Sequence, residues 1–533
     1  MERIFYNGII HTMAGGTARA VAVRDGRIAA VGGDNEILGQ ALPETELVDL
    51  RGQCLLPGFN DSHCHFMATG LNIGRLDLKG ATSAGEIIAR GRRFIEERRI
   101  PEGQWVVGEG FDHNLFAEPA LPDKTVAEAI SKTHPVLLER VCGHAGAVND
   151  LALRKAGFTP RTVIAGGVLA KGADGELTGV LCEAALDFLK SRIPKIGVGE
   201  AMKVIQAVSS HANALGVTSV QTDDLEVVSL ETLLEAYSRL ERQGKLTVRV
   251  FEEVQAARIP ELTKFLSMNL RTGWGGDFFK IGNIKLLTDG SLGARTAFLR
   301  EDYSDDPGNR GVSVYTQEAL DEVVSLAHHS GMQIAFHAIG DGAVEQCVNA
   351  VEKTSPAGPQ SLRHRIVHCQ LADDGLLERM KALGIGADIQ PAFAISDRCL
   401  VGTRLGGLRS CACCSWKKML EKGVAAAGSS DSPVESLDPL WGIYCAVTRE
   451  DEHGLPKGGW LPEQRLTVEQ AVALYTVKGA YMSFEEDAKG TVEVGKLADF
   501  AVLSRDIFSV EPGEILKTRV VMTVIGGRIC YRA

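Results

Sequence analysis

The apolar and polar positions of the chain fall into three stretches of different rhythm. Residues 1–57 carry short β-type runs at 4–12, 20–23, 27–31 and 46–49, broken by Asn7-Gly8, Asp25-Gly26 and Gly32-Gly33. Such dipeptides accept the positive φ of hairpin turns, so the pattern predicts strands joined by tight turns. The end of the chain has the same character: runs at 492–494, 500–503, 520–525 and 528–531 are separated by Gly495-Lys496, residues 504–506 and Gly526-Gly527. Two β-rich ends around a long middle predict a small β-sandwich domain built from both termini, residues 1–57 and 486–533.

From Ala201 onward the rhythm changes to strands alternating with helices. Strands are predicted at 217–222, 246–251, 283–287, 333–339, 363–369, 384–389 and 424–428, and amphipathic helices at 230–243, 317–330 and 374–383. An eighth apolar run, Leu55-Leu56-Pro57, leads into His63-Cys64-His65. Eight alternating units predict an α/β fold with a closed parallel (β/α)8 TIM-like barrel over residues 58–485, with a doubly wound open sheet as the alternative. Residues 66–196 are mixed: a helix over 83–99 opened by Ser83 with Glu86 as capping-box partner, strands at 105–111 and 136–141, a short helix over 149–156 ended by Gly157, and a turn-rich stretch at 166–179. They predict an inserted α+β subdomain at about 70–200.

Polar residues recur at one place within these strands. His63 and His65 end the first, and their spacing of two aims both imidazoles to one side of an extended chain. Lys285 lies near the end of the fourth strand, His337 in the fifth, His368 in the sixth, and Asp431 just past the eighth. The C-terminal rim is where barrel enzymes assemble their sites. Any single one of these is explained by a hydrogen-bonded core side chain. Five strands delivering metal-capable or base-capable groups to one rim are not, because unpaired buried polar groups are costly. His364 falls deeper in its strand, and His328 and His329 lie on a helix, so they are read as structural. His144, between Gly143 and Ala145, follows a strand of the inserted region and is read either as a substrate contact or as plain loop structure.

Composition narrows the classes. With 533 residues, 45% hydrophobic and 23% charged, the chain has ordinary globular make-up with room for more than one core. A formal charge of -11 argues against a nucleic-acid partner. No apolar segment has the length of a signal peptide or a membrane span, so a soluble cytoplasmic protein without a membrane partner is expected. The 12 cysteines lack a disulfide-framework spacing and are read as reduced. Cys411, Cys413 and Cys414 cluster, either as packing groups or as an incomplete soft-metal set.

Taken together, Leu56-Pro57-Gly58-Phe59-Asn60-Asp61-Ser62-His63-Cys64-His65, Gly143-His144-Ala145, Lys285 before Asp289-Gly290-Ser291-Leu292-Gly293, His337-Ala338-Ile339-Gly340-Asp341, Arg363-His364-Arg365 with His368, and Gly428-Ser429-Ser430-Asp431 resemble the amidohydrolase superfamily. The resemblance is to its branch of N-substituted formamide deformylase-like proteins, and Gly495-Lys496-Leu497-Ala498-Asp499-Phe500 is similar to that family's return into its β domain. The resemblance implies two divalent metal ions, zinc being the expected identity. His63 and His65 would bind one and His337 and His368 the other, bridged by Lys285 carbamylated with CO2, and Asp431 would be both ligand and proton shuttle. Asn60 and the Ser429-Ser430 pair depart from the family pattern.

The activity so implied is hydrolysis of a non-peptide amide-type C–N bond, in an N-acyl or N-formyl amine, by metal-bound hydroxide, with His144 stabilising the developing oxyanion. Two alternatives stand beside it. One is a mononuclear deaminase of a cyclic or aryl amine using His63, His65, His337 and Asp431; the other is a non-catalytic binding protein on the same scaffold. The partner expected is a small-molecule substrate, and a homodimer is the default assembly. Residues 391–416, after the seventh strand, are expected at the mouth, where they would govern specificity.

Overall fold

The computed structural model describes residues 2–141, 143–164, 166–355 and 358–533. Eight parallel strands lie side by side in chain order: Phe59–Cys64, Val217–Thr222, Arg249–Gln255, Phe279–Leu287, Gln333–Ala338, Arg365–His368, Gly386–Ile389 and Ala426–Gly428. The eighth returns to the first. Just past their ends the Asp431 N–H donates to the His63 carbonyl at 2.9 Å and the His65 N–H to the Ser432 carbonyl at 2.7 Å. The Asp61 carboxylate accepts the Ser430 N–H at 3.1 Å across the same seam. The sheet is therefore a (β/α)8 barrel, as the alternation of the sequence predicts, and the open-sheet alternative falls.

The helices between strands follow from their apolar stripes. Leu230–Arg242 buries Leu233, Ala236, Tyr237 and Leu240, a spacing of three and four residues, and its first turn is capped by the Ser229 side chain. Asp374–Leu383 is capped by Asp373 and ends at Gly384, whose φ of 68° is the left-handed turn that glycine takes without penalty. Each large apolar side chain buried this way contributes about 1.5–3 kcal/mol.

Several predicted boundaries move. The third strand, predicted at 246–251, runs Arg249–Gln255, because the acidic pair Glu252-Glu253 continues the strand instead of ending it. The fourth starts at Phe279, four residues before the prediction. Leu55-Leu56-Pro57 does not lead into the barrel. Cys54–Pro57 is a strand of the terminal β-structure, antiparallel to Phe500–Leu503, and the barrel begins beyond Gly58. At that junction a Cβ would sit 2.2 Å from the Thr218 side chain, so only glycine fits.

The chain ends form two sheets. One contains Arg27–Gly32, Ala20–Arg24, Arg3–Tyr6 and Glu46–Asp49; the other contains Arg528–Arg532, Val520–Ile525, Phe500–Leu503, Cys54–Pro57, Ile9–His11 and Thr17–Ala18. Phe5, Val21 and Val48 of the first share one core with Ile10, Leu55, Phe500, Val502 and Val524 of the second, which makes a sandwich. A buried bidentate pair, Arg249 to Asp499 at 2.7 and 3.1 Å, ties the third barrel strand to the C-terminal segment.

Residues 70–197 form a second compact unit. Its six-stranded sheet runs in the order Gly167–Lys171, Leu177–Glu183, Ala145–Val148, Val136–Arg140, Val106–Phe111 and Leu76–Asp77. Two apolar clusters hold it, one around Ile87, Phe111 and Leu138 and one around Leu153, Leu181 and Leu186. No helix among the described residues is long and apolar enough to cross a membrane.

Candidate metal centre

Six of the seven singled-out side chains come together at the C-terminal rim of the barrel. His63 Nε2 and His65 Nε2 each lie 3.3 Å from the same oxygen of Asp431. Lys285 Nζ is 3.0 Å from His63 Nε2. His368 Nε2 faces His337 Nδ1 at 3.0 Å, and the His63 and His368 ring centres are 5.9 Å apart. The seventh, His144, belongs to the second unit. Its side chain is 69% exposed, with Nδ1 3.0 Å from a Glu183 carboxylate oxygen.

Protonation follows from what holds the other side of each ring. His65 Nδ1 donates to the Asp223 carbonyl at 3.0 Å and His63 Nδ1 to the Glu253 carboxylate at 3.1 Å. His337 Nε2 donates to the Gly290 carbonyl at 3.1 Å, and His368 Nδ1 to the Gln390 amide oxygen at 2.9 Å. Gln390 is oriented for this, since its amide nitrogen is taken up by Ser429 Oγ at 2.8 Å and the Asp388 carbonyl at 3.2 Å. Each imidazole thus has its N–H engaged outward and a lone pair turned inward. Two lone pairs facing at 3.0 Å, and two more facing a carboxylate, require a cation or a proton between them.

The donor set fits a divalent metal. Tetrahedral zinc with nitrogen and oxygen ligands at 2.0–2.2 Å separates neighbouring ligand atoms by about 3.3–3.5 Å, and the separations of 3.3 Å from Asp431 to both histidines match it. The ligand atoms of His63, His65 and Asp431 all lie within 4.8 Å of one another.

Electrostatics act in the same direction. Burial and the Lys285 ammonium press the His63 imidazole down, but the Glu253 and Asp431 carboxylates outweigh them and bring it up to about 9. A proton there occupies the place a cation takes. Asp431 is held well below the usual carboxylate range, its burial overcome by hydrogen bonds with His63 and His65. Burial, with Lys285, lowers His337 to about 4. Burial, with His337, takes His368 well below its ordinary value. Both rings are neutral at physiological pH, the form in which histidine binds metal.

Backbone geometry marks the same positions. His368 has φ 71° and Asp431 φ 58°, left-handed values that cost a non-glycine residue free energy and gather at functional sites.

Sequence reasoning missed the layer beneath. Glu253, Arg365, Asp388, Gln221 and Asn283 fill the barrel interior, all buried. Arg365 reaches Glu253 at 3.1 Å, Asp388 at 3.2 Å and Gln221 at 2.5 Å, and Asn283 Nδ2 donates to Glu253 at 3.2 Å. Burial raises the Glu253 carboxyl, but the His63 and Lys285 charges prevail and hold it well below the usual range. The signal for Glu253 was the alternation Val248, Val250, Glu252, Val254, which carries the strand past the acidic pair. Asp289, accepting the N–H groups of Phe298, Ile339 and Gly340 at 2.8–3.1 Å, pins the loops beside His337. Residues 391–416, expected at the mouth, contain helix Phe393–Ser396 and a helical stretch Arg398–Ser410 kinked at Gly406, whose φ is 71°, and Phe393 stacks on His368 with ring centres 5.9 Å apart. In this segment Cys413 and Cys414 are buried, their sulfurs 3.7 Å apart, and Cys411 is exposed.

The profile of the amidohydrolase family matches residues 46–531. YtcJ of Bacillus subtilis (strain 168), classed as an amidohydrolase, is 35% identical over 100% of this chain and 99% of its own. An N-substituted formamide deformylase of Arthrobacter pascens is 25% identical, covering 96% of this chain and 95% of its own. The crystal structure of a metal-dependent hydrolase from Pyrococcus horikoshii OT3 superposes with a TM-score of 0.79 at 30% identity, over 96% of this chain and 99% of that one.

Proposed function

Because the chain belongs to the amidohydrolase family of metal-dependent hydrolases, we propose that it hydrolyses a non-peptide amide-type C–N bond, in an N-acyl or N-formyl amine. The observation that carries the reading is the set of four inward imidazole lone pairs converging with Asp431 on one rim. The N-formyl class is suggested by the relative named N-substituted formamide deformylase.

In this reading His63, His65 and Asp431 would hold one divalent cation and His337 and His368 a second. Lys285, as a carbamate formed with CO2, would supply a further anionic ligand, and zinc suits the donors. When bound, such cations polarise a carbonyl and make hydroxide available near neutral pH. The remaining work falls to side chains. Asp431, held ionised, takes the proton of the attacking water and returns it to the departing nitrogen. Glu253 and the Asp223 carbonyl keep His63 and His65 in one tautomer and one orientation. His144 would serve as donor to a substrate oxygen only with a proton on each ring nitrogen, because its Nδ1 is engaged by the Glu183 carboxylate. A carbamate at Lys285 adds an anion near Glu253, which Nζ approaches at 3.5 Å, and two cations offset that repulsion.

The compactness of His63, His65 and Asp431 as a single-cation set favours one second reading, a mononuclear deaminase of a cyclic or aryl amine. Metal content per chain together with turnover on N-formyl amines, N-acyl amines and cyclic or aryl amines separates the two. About two equivalents at the rim, counted as the metal lost when His63, His65, His337 and His368 are all replaced, and hydrolysis of the first two classes are expected. Asp431→Asn should lower kcat by about 10²–10⁴-fold with metal still bound, and near-normal turnover in that variant removes the shuttle role.

A further inference from the structure

The terminal six-stranded sheet brings together a second group of metal-capable side chains. Cys54 opens the strand Cys54–Pro57, which lies between Ile9–His11 and Phe500–Leu503. Its register pairs Cys54 with Ile9 on one side and with Leu503 on the other. His11 stands two residues beyond Ile9 and so shares the face of Cys54. Asp506 comes three residues after Leu503, in the turn that leaves that strand. One nitrogen, one sulfur and one oxygen donor are thereby gathered from two adjacent strands and the turn after a third, all within 4.8 Å of one another.

Two of the three are already held in place. His11 Nε2 lies 2.9 Å from Asp506 Oδ1, and the imidazole stacks on Phe508 with centres 4.0 Å apart and planes at 22°. Asp506 Oδ1 also accepts the Phe508 N–H at 3.1 Å. Cys54 is fully buried, whereas the His11 and Asp506 side chains are 16% and 15% exposed, so the group opens to solvent on one side only. A His–Asp hydrogen bond beside a packing cysteine accounts for the first contact. The thiol is hydrogen-bonded to the Asp506 side chain and to the Ile507 backbone, so all three donors already face one another.

We propose that His11, Cys54 and Asp506 form an auxiliary divalent-cation site of the zinc class, independent of the barrel rim, with solvent as the fourth ligand. A mixed nitrogen, sulfur and oxygen set selects borderline cations over magnesium and calcium. Ligands at 2.0–2.3 Å from such a cation stand about 3.3–3.8 Å apart, so binding would widen the 2.9 Å separation of His11 and Asp506 and draw in the Cys54 sulfur, which lies within 4.8 Å of both. Burial and the Asp506 carboxylate push the thiol up, so the cation displaces a proton on binding. Loading joins residues 11 and 54 to residue 506, stapling strands from both ends of the chain.

The test is a Co²⁺ titration of the full-length protein, read in the near ultraviolet where thiolate-to-cobalt charge transfer absorbs. The rim set offers only nitrogen and oxygen donors, so this band reports a sulfur-ligated cation alone. A saturable band is expected in the wild type, absent in Cys54→Ser, with half-saturation raised at least about tenfold in His11→Gln and no competition from Mg²⁺. Because Cys54 is buried and its replacement can impair folding, His11→Gln at a partly exposed position tests the site separately. No band at saturation, a band that survives Cys54→Ser, or an unchanged half-saturation in His11→Gln would each overturn the proposal.

Discussion

His63 Nδ1 lies 3.1 Å from Glu253 Oε2, and the two side chains are 1% and 0% exposed. Through its other oxygen, 3.1 Å from Arg365 Nη2, the same carboxylate joins the rim to the polar interior of the barrel. It therefore orients a proposed metal ligand and neutralises a buried guanidinium together.

Glu253→Gln should damage both functions. Loss of a partner behind a ligating histidine lowers metal affinity about 10- to 100-fold. Leaving Arg365 with Asp388 as its one remaining carboxylate costs about 3 kcal/mol of stability. Competition with a chromogenic chelator and urea unfolding measure the two effects. Unchanged metal affinity would show that Glu253 serves the barrel interior alone.

Removal of metal should remove the carbamate. Lys285 Nζ stands 3.5 Å from Glu253, so an anion there is sustained only while cations balance the charge. Protein loaded with metal and exposed to ¹³C-bicarbonate is expected to show one carbamate resonance, lost on chelation and missing from Lys285→Met. If the resonance persists after the metal is stripped, the coupling is wrong.

Acid stability should depend on Glu485. Its carboxylate lies 2.6 Å from both Lys280 and Lys489, and although burial raises it, the two ammonium groups lower it to about 2. The folded value lies below the unfolded value of about 4.3, so the unfolded chain takes up the proton first as pH falls. The contribution is complete above the unfolded value and is lost between it and about 2. The stability gap between wild type and Glu485→Gln should thus shrink by about 3 kcal/mol over that range. Urea midpoints at pH 7, 4.5 and 3 test this, and a gap independent of pH contradicts it.

Gly340→Ala should destabilise the loops around His337. A Cβ at Gly340 would stand 2.0 Å from the Phe298 carbonyl oxygen and 2.5 Å from its carbon, backbone atoms that cannot rotate away. The Gly340 N–H also donates to Asp289 at 2.8 Å. A loss of about 1–3 kcal/mol is expected and a calorimetric melt will register it; an unshifted melt would mean that the loop yields freely.

Much of the barrel was legible because strand and helix periods are local. An apolar run such as Ile334-Ala335-Phe336 before His337, or the stripe Leu233, Ala236, Tyr237 and Leu240, announces its element without knowledge of any partner. The candidate rim residues were legible for the same reason, since each ends a run that reads as a strand. Boundaries failed where a local rule met a tertiary exception: Glu252-Glu253 reads as a strand terminus, yet the barrel interior supplies Arg365 and Asn283 as partners and the strand continues. Leu55-Leu56-Pro57 reads as the start of a barrel strand, and which sheet it joins is decided by Phe500–Leu503, more than four hundred residues away.

The sequence by itself determined the alternation of elements and the metal-capable and base-capable residue types at the strand ends, and the resemblance of its motifs implied metal-assisted hydrolysis beside a deaminase and a non-catalytic reading. Only the tertiary structure decided which nitrogen of each histidine points inward, because that depends on the acceptors Glu253, Gly290 and Gln390 and the Asp223 carbonyl, all supplied by other strands or the loops beyond them. It also decided the closure across Asp431 and His63, and the meeting of His11 and Cys54 with Asp506. Hydrogen bonds and ion pairs join atoms distant in the chain, and no period along the sequence encodes them.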